Sequence, residues 1–303
     1  MITNLKKLIA LALSITMLPF AACSTKDPAN SGVQETQPTP TVSPDTRLTA
    51  PDESDKTELE KLFDGLGYEY LVIDPDLSKK KIVKLFEEQT AKGREEGYTP
   101  VIVPCGIEGR DLLLESVSGQ LEDGFDIADE LKKPLPDGTS VLDDRKEEFL
   151  RLYGLSIDSL IAETGEGVEY FGSDTAETTF AGLQAVTMMQ GECRLILLKL
   201  PTKNPWEAVI YIPFGGFNEC PAPNEMAAIL KYWYEKFGAV PAVITFDMLD
   251  VWLPEPISAD DAKKTAAEQI IFDIDMMEAL MMGSMQSFEK ALTEAKIWSF
   301  WWD

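Results

Sequence analysis

The segment from residue 23 to residue 57 constrains the fold of this chain more than any other feature. It is rich in Ser, Thr, Pro, Asp and Gln, lacks aromatic residues and contains the proline-rich run Gln37–Pro44. Such a sequence cannot bury enough apolar surface to offset the entropy lost on ordering, so it is predicted to stay extended and solvated. The folded body must therefore be built from residues 58–303, whose composition is that of a globular domain.

Residues 1–22 resemble a secretory signal. Two lysines precede an apolar run, Leu8–Leu18, that is too short to cross a hydrocarbon core as a stable helix. The small residues before Cys23 resemble a bacterial lipobox, in which the cysteine is lipidated and becomes the mature N-terminus. A cleaved secreted protein is the less favoured alternative, because Phe20 stands where ordinary signal peptidase requires a small residue. We therefore expect a lipid anchor at the extracytoplasmic face of the cell membrane, with residues 23–57 as its disordered tether.

The charge balance excludes several classes of partner. The chain has 27 basic and 52 acidic residues, for a formal net charge of −25. A polyanion is repelled by nucleic acid and by anionic lipid headgroups, so neither is an expected partner. Membrane attachment would rest on acyl chains alone, and stable anchoring takes two signals. The expected partner is an unidentified protein or small molecule, and the chain is expected to be monomeric.

The chain contains no histidine. This absence excludes a Ser-His-Asp triad, a Cys-His pair and an H-E-x-x-H zinc site. After Cys23 the cysteines are Cys105, Cys193 and Cys220, without C-x-x-C spacing, so no zinc ribbon is indicated. One disulfide with a free thiol and three buried thiols remain as alternatives. No metal and no cofactor are predicted.

The hydrophobic pattern predicts a mixed α/β (α+β) fold with a central mixed sheet flanked by helices. A strand at 69–73, a helix at 78–94 and a strand at 98–104 favour a parallel pair joined by a right-handed crossover. Strands at 194–200 and 208–212 would form a hairpin. The other predicted helices cover 143–153, 156–162, 224–237, 258–272 and 287–295, and the other strands cover 240–246, 249–253 and 297–302. A single domain is expected, and the polar stretch at 133–142 is the candidate internal boundary.

A glycine-rich segment, Phe214–Pro223, is the main candidate for a functional loop. Paired glycines allow positive φ or close approach to a ligand, and the following helix offers free N–H groups. The catalytic candidates are Glu219, Cys220 and Asp247, and the ligand-binding candidates are Gly215, Gly216, Asn218 and Trp301. The structural alternative, a tight connection whose aromatic residues enter the core, is favoured because a glycine pair alone is a weak motif.

Two further motifs are weaker. The run Cys105–Arg110 has C-x4-R spacing, one residue short of the C-x5-R phosphate loop of tyrosine phosphatases. Carboxylates that could bind Ca²⁺ or form an acid/base pair are Asp247, Asp250, Asp273, Asp275 and Glu278. No D-x-D-x-D-G loop accompanies them, and so acidic a chain favours their assignment as solvated groups.

The chain ends in an aromatic run. Strand alternation sends Trp298, Phe300 and Trp302 to one face and Trp301 to the other. Aromatic burial of this extent is typical of a core anchor. The alternative is an aromatic shelf that binds carbohydrate or a protein partner.

Several segments together are similar to the bacterial family called domain of unknown function 4253. They are Trp206-Glu207, Phe214-Gly215-Gly216-Phe217-Asn218-x-Cys220-Pro221, the helix carrying Trp233, Asp247-x-Leu249 and Trp298-x-Phe300-Trp301-Trp302-Asp303. The resemblance is greatest at about 193–303. The chain departs from the family at Phe272–Asp275, where a Cys-Pro-Asp is usual. It implies a single α/β module that closes on its own C-terminus, and it brings neither an activity nor catalytic residues.

These observations favour a lipid-anchored binding or interaction module over an enzyme, because no complete catalytic set is present. The alternative is a carboxylate-dependent hydrolase or transferase acting on a cell-envelope substrate, centred on Gly215 and Gly216.

Overall fold

The central element in the computed structural model of this chain is a mixed β-sheet. The structure describes residues 47–106, 111–154, 156, 159, 179–190, 193–276 and 285–302. The predicted signal, the lipidation at Cys23 and the helix expected at 156–162 fall wholly or mostly outside these residues.

The described strands form one seven-stranded sheet in the order β1-β2-β4-β3-β5-β6-β7. Neighbouring strands are antiparallel, except that β3 and β5 are parallel. The strands are β1 (Leu48–Thr49), β2 (Glu69–Ile73), β3 (Thr99–Gly106), β4 (Cys193–Leu200), β5 (Val240–Ile244), β6 (Met248–Trp252) and β7 (Ile297–Trp301). The predicted mixed α/β class is therefore confirmed.

Helices cover both faces of the sheet. They are α1 (Glu58–Gly65), α2 (Lys79–Glu96), α3 (Leu112–Glu122), α4 (Ile127–Glu130), α5 (Gly138–Tyr153), α6 (Ala181–Gln190), α7 (Ala208–Tyr211), α8 (Pro223–Phe237), α9 (Ala259–Phe272) and α10 (Met285–Leu292). Helices α2 and α6 contribute to the smaller core on one face, around Phe86 and Phe180. The larger core, on the other face, contains the aromatic cluster around Trp233 and Phe272.

Local sequence accounts for the two helices that position the C-terminal strand. Helix α8 has Pro223 in its first turn, and the Glu225 carboxylate accepts the Ala222 N–H at 3.2 Å. It ends at Gly238, whose φ of 72° suits a residue without a side chain. Helix α9 begins after Ser258, whose hydroxyl accepts the Asp261 N–H at 3.3 Å. The predicted start of the first of these helices, at residue 224, is one residue late, because α8 begins at Pro223 with Ala222 as its N-cap.

The predicted pairing of β2 with β3 is wrong. The two strands run in the same direction, but β4 lies between them and pairs with both in antiparallel fashion. The predicted strand at 208–212 is also wrong, because Ala208–Tyr211 is the short helix α7, entered through a 3-10 turn at Pro205–Glu207. A short apolar run fits a buried helix as well as a strand, and periodicity cannot separate them.

Two predicted boundaries also move. Residues 47–57 were assigned to the tether, but Leu48–Thr49 pair with β2 and Glu53–Asp55 form a 3-10 turn. The ordered body therefore begins by residue 47. The stretch at 133–142 does not separate two domains, because residues 44–303 form one compact unit. Its second half belongs to α5, which begins at Gly138.

Candidate functional site

Strand β7 separates buried aromatic residues from one exposed indole. Trp298, Phe300 and Trp302 are at most 3% exposed, whereas Trp301 is 45% exposed. This is the distribution that strand alternation predicts. The buried rings pack against α8 and α9, and Phe300 lies 4.8 Å from Phe272 between ring centroids. Trp298, Phe300 and Trp302 therefore anchor the strand in the core, and Trp301 is the aromatic residue of this run that stays at the surface.

Two carboxylates hold Trp301 in place. Its indole Nε1 donates to Asp247 Oδ2 at 2.9 Å, and its main-chain N–H donates to Asp273 Oδ2 at 2.9 Å. Both bonds are charge-assisted when the acids are ionised, and such bonds are stronger than neutral ones. The exposed ring is therefore fixed at the surface. We call the group of Asp247, Asp273, Asp275 and the exposed Trp301 the Trp301 corner.

Asp247 sits in the turn between β5 and β6 and is 7% exposed. Its Oδ1 accepts the Thr245 hydroxyl at 3.0 Å, and its carbonyl accepts the Trp302 N–H at 3.0 Å. The Thr245 hydroxyl in turn accepts the Met248 N–H at 2.9 Å, which closes the turn. Asp247 therefore acts as a hydrogen-bond acceptor that joins this turn to the end of β7.

Asp273 caps the C-terminal end of α9 and is 1% exposed. Besides Trp301, the Asp275 N–H donates to its Oδ1 at 3.1 Å. Burial raises the pKa of Asp273 to about 7, and the nearby charge of Asp275 adds to this effect. The hydrogen bonds from main-chain N–H groups oppose the rise without reversing it. Asp273 therefore titrates near neutral pH.

The acids predicted to be solvated are mostly buried. Asp250 is 0% exposed, and it accepts the Gly182 N–H at 3.0 Å and the Ser299 hydroxyl at 2.5 Å. It thereby ties the first turn of α6 to β7. The expectation that these acids are solvated is therefore wrong for Asp247, Asp250 and Asp273, which are all buried. Glu278 lies outside the described residues.

The glycine loop is a self-bonded connection. Gly215 has a φ of 102°, and a side chain there would place Cβ 2.1 Å from the Pro221 carbonyl oxygen. The Gly216 N–H donates to that same carbonyl at 3.0 Å, and Gln120 Nε2 donates to the Pro213 carbonyl at 3.1 Å. Asn218 is exposed and has a φ of 46°. The glycines allow the loop to fold onto itself, which supports the structural alternative.

The reactive candidates of the loop point in different directions. The Glu219 side chain is exposed, while its carbonyl accepts Arg145 Nη2 at 2.6 Å. Cys220 is 5% exposed, and burial raises the pKa of its thiol despite the nearby Arg145. A buried, protonated thiol is a poor nucleophile. Arg145 also donates from Nε to the Ile271 carbonyl at 3.1 Å, so it joins the loop to the end of α9.

The structure brings the candidates together only in part. Glu219 and Cys220 both lie near Arg145, and the charge of Asp273 acts on Cys220. Asp247 is linked to Asp273 through Trp301. The sequence offered no sign of Arg145, which lies on α5 about 75 residues before the loop.

The cysteines that the structure describes are free thiols. Cys105 lies opposite Arg194 and Gly106 lies opposite Cys193 in the β3–β4 ladder, so the two cysteine side chains point to opposite faces. A disulfide between them would require a slip in register. Burial raises the pKa of the Cys105 thiol far above its usual range, which is unlike a phosphatase nucleophile, and Arg110 lies outside the described residues.

Among the residues that the structure describes, no group of three or more His, Cys, Asp or Glu side chains is placed to hold a metal ion. No helix in that part of the chain combines the length and the apolar character needed to cross a membrane.

Comparison with known proteins gives one match. No curated protein and no solved structure shows significant similarity to the chain. Residues 196–303, which begin within β4 and include the glycine loop and the Trp301 corner, match the family model described as Domain of unknown function (DUF4253).

Proposed function

We propose that this chain is a lipid-anchored extracytoplasmic binding protein that recognises its partner through the Trp301 corner. The observation that carries the proposal is the 45% exposure of Trp301, an indole held by hydrogen bonds to two buried carboxylates. Tryptophan is among the residues most enriched at binding hot spots. A large aromatic ring that remains at the surface while its neighbours are buried is typical of a contact residue.

The fixed position of the ring favours binding. A side chain that is already immobile loses little conformational freedom when a partner covers it, and that entropy is a major cost of association. Trp301 makes these two bonds through its main-chain N–H and through the indole N–H at the edge of the ring. Neither bond uses a face of the ring. The acidic surroundings suit a partner that presents a cationic or hydroxyl-rich group to the ring.

The rival carboxylate-dependent enzyme has little support. Glu219 projects into solvent, the Cys220 thiol is buried and protonated, and Asp247 is engaged with Thr245 and Trp301. General acid/base chemistry needs a titrating group within reach of a substrate. Asp273 titrates near neutral pH but is 1% exposed, so a substrate could not reach it without rearrangement.

Site-specific crosslinking in intact cells tests the corner. A photoreactive amino acid in place of Trp301 should capture a partner that the same group in place of Leu150 does not. Leu150 is the matched control because it is 48% exposed. With the captured partner purified, Trp301→Ala should weaken binding about 30-fold, the loss expected for a hot-spot tryptophan, and Leu150→Ala should leave it unchanged. Equal affinity of wild type and Trp301→Ala would contradict the assignment.

The anchor has a separate test. Metabolic labelling with a palmitate analogue should mark the wild-type chain and not Cys23→Ser, and the variant should leave the membrane fraction. Cys193→Ser is the matched control and should keep both label and location. Membrane association that survives Cys23→Ser would rule out the lipid as the anchor.

A further inference from the structure

The first turns of α2 carry a group of basic side chains. Four exposed lysines lie at the start of this helix, and they are Lys79, Lys80, Lys81 and Lys84. We call this group the lysine face. The chain as a whole has 52 acidic and 27 basic residues, so a basic run without an acid inside it stands apart from the rest of the sequence.

The lysine face keeps its positive charge in the folded chain. Lys79 Nζ donates to the neutral amide oxygen of Gln184 at 3.0 Å. In the part of the chain that the structure describes, none of the four lysines makes an ion pair with a carboxylate. The acids that precede α2 are Asp74 and Asp76, and there the Asp76 N–H donates to Asp74 Oδ1 at 2.9 Å. The lysine face is therefore a local exception in an acidic chain.

The acids that follow Lys84 on the helix are bonded to other groups. Residues three and four positions apart on a helix are neighbours, so Glu87 and Glu88 are the acids within reach of Lys84. Glu87 Oε1 instead accepts Trp252 Nε1 at 3.2 Å, and Glu88 is paired with Arg47 at 2.5 Å. The fold thus uses both carboxylates elsewhere and leaves the lysine face without a counter-charge.

The lysine face does not stabilise its own helix. Lys80 and Lys84 are four residues apart, and like charges at this spacing are unfavourable. Lysines at the first helical positions also oppose the helix dipole, whose positive end favours acidic residues there. Residues that break local rules of this kind are expected at functional surfaces. The lysine face therefore has the character of a contact surface for an anionic partner.

The lysine face lies beside the place where the predicted tether meets the folded body. The Asp74 N–H, just before α2, donates to the Arg47 carbonyl at 3.0 Å, and the Arg47 side chain is paired with Glu88. Lys84 lies one helical turn before Glu88. Cys23 precedes Arg47 by 24 residues, and a solvated chain of this length has an r.m.s. span of about 27 Å. A lipid at Cys23 would therefore hold this side of the body near the membrane.

The net charge of the chain does not prevent a local contact. The Debye length at physiological ionic strength is about 8 Å, so exposed acids farther than this from the bilayer are largely screened from it. A lysine close to an anionic lipid surface strengthens association about fivefold. A tether also keeps the local concentration of the body at the surface high, which favours a weak contact. The repulsion expected from the net charge therefore applies to the body as a whole and not to the lysine face.

We propose that the lysine face docks onto anionic lipid headgroups of the membrane that carries the anchor, and thereby sets which side of the folded body faces the bilayer. The ammonium groups would contact headgroup phosphates. The proposal rests on the anchor proposed at Cys23 and adds an orientation to it. A membrane is favoured over an acidic protein as the partner because the chain enters the body beside α2.

Lysine acetylation on vesicles tests the docking. Residues 23–303, which include the compact unit 44–303, are held on phosphatidylcholine vesicles by an N-terminal hexahistidine tag and a nickel-chelating lipid. Adding phosphatidylglycerol to the vesicles should slow acetylation of Lys80, Lys81 and Lys84, measured by mass spectrometry. The expected fall is about twofold or more, because a face docked for half of the time reacts at half the rate. Lys263, exposed on α9 over the other face of the sheet, should react equally on both vesicles.

Matched double variants separate the lysine face from the net charge. Lys80→Gln/Lys84→Gln should weaken docking about 25-fold, at fivefold per lysine, so Lys81 should then react equally on the two kinds of vesicle. Lys263→Gln/Lys290→Gln removes the same charge from exposed positions of α9 and α10, and Lys81 should stay protected. Equal loss of Lys81 protection in the two variants would show dependence on net charge alone and refute the lysine face.

Each outcome has a distinct meaning. Equal acetylation of wild-type Lys80, Lys81 and Lys84 on the two kinds of vesicle would overturn the proposal, and it is the result expected if the partner is an acidic protein. Protection that persists in 1 M salt, where the Debye length is about 3 Å, would also contradict it. The tag replaces the lipid, so the result does not depend on lipidation of Cys23. Failure of the anchor and failure of the docking are therefore distinguishable.

Discussion

Two regions of the sheet satisfy their buried carboxylates in different ways. At the β7 edge, Asp273 is 1% exposed and its hydrogen bonds come from the main-chain N–H groups of Trp301 and Asp275. In the middle of the sheet, Glu60 on α1 is 0% exposed and is paired at 3.0 Å with Arg194 of β4, which lies opposite Cys105 of β3. One region stabilises a buried acid with dipoles alone, and the other uses a full opposite charge.

This difference predicts what each region responds to. A buried acid that has only dipoles as partners is easily protonated, so the β7 edge should respond to pH near neutrality. An acid paired with a guanidinium has a full opposite charge beside it, so the Glu60 site should respond to loss of the Arg194 cation. Exposed pairs should respond to salt instead. The comparison therefore assigns proton sensitivity to the Trp301 corner and charge sensitivity to the Glu60–Arg194 pair.

The largest expected effect concerns Asp273. Its pKa is about 7 in the folded chain, against an ordinary 3.8, so the folded state binds this proton more tightly than the unfolded state does. The stabilisation is complete below pH ~4 and is lost as the pH rises to about 7, a change of about 4 kcal/mol at 1.36 kcal/mol per pKa unit. Urea titrations over this range should show Asp273→Asn losing less stability than wild type. Parallel pH profiles would contradict the assignment.

Removal of the Arg194 cation from β4 should have the next largest effect. Arg194→Met leaves Glu60 buried without its countercharge and should lower the free energy of unfolding by about 3 kcal/mol. Chemical denaturation at neutral pH measures this loss. Lys61→Met removes only an exposed pair with Glu58 and serves as the control, with little expected change. Similar losses in both variants would remove the distinction between buried and exposed pairs.

The glycine loop should be the third most sensitive region. Gly215→Ala places Cβ against the Pro221 carbonyl at a φ of 102° and should cost at least about 2 kcal/mol. At Gly124, with a φ of 96° and no atom near the added Cβ, alanine meets only the backbone cost. Thermal denaturation should show a clearly lower midpoint for the Gly215 variant. Equal midpoints would mean that the loop moves freely and is no rigid support for the corner.

The smallest expected effect is at an exposed ion pair of the β1–β2 edge. Arg47 Nη2 lies 2.5 Å from Glu88 Oε2, with the two side chains 30% and 41% exposed. Arg47→Gln should lower stability by about 0.5 kcal/mol at low salt, and the difference should shrink in 1 M salt because the Debye length falls to about 3 Å. A loss that is independent of salt would point to packing of the arginine stem instead.

The sequence predicted best those elements whose hydrophobic pattern is regular over their whole length or whose end is marked by a glycine. Helix α8 and strand β7 fit this description, since one ends at Gly238 and the other alternates three buried aromatic residues with Trp301. The failures are those of long-range pairing. Nothing in residues 193–200 indicates that this strand lies between β2 and β3, because both of its edges are determined by segments far away in the chain.

Residues of the Trp301 corner could be named from the sequence, but their burial and hydrogen bonds could not. Trp301 and Asp247 could be named from the sequence, but the hydrogen bond between them depends on a turn and a strand about 54 residues apart. The burial of Asp273 follows from its position between α9 and β7, which composition cannot reveal in so acidic a chain. Sequence statistics favour exposed acids, and buried ones are exceptions that the tertiary fold creates.

The central place of β4 has a consequence for how this chain folds. Strands β2 and β3 are complete by Gly106, yet the strand that joins them begins at Cys193, so the middle of the sheet must wait for a distant segment. Closing so long a loop before any ladder bonds form is entropically unfavourable, and pairings of this kind slow folding. During synthesis on the ribosome, β2 and β3 would stand as separate unpaired edges until β4 emerges. Folding of the sheet is therefore gated by the arrival of the segment that also opens the DUF4253 match.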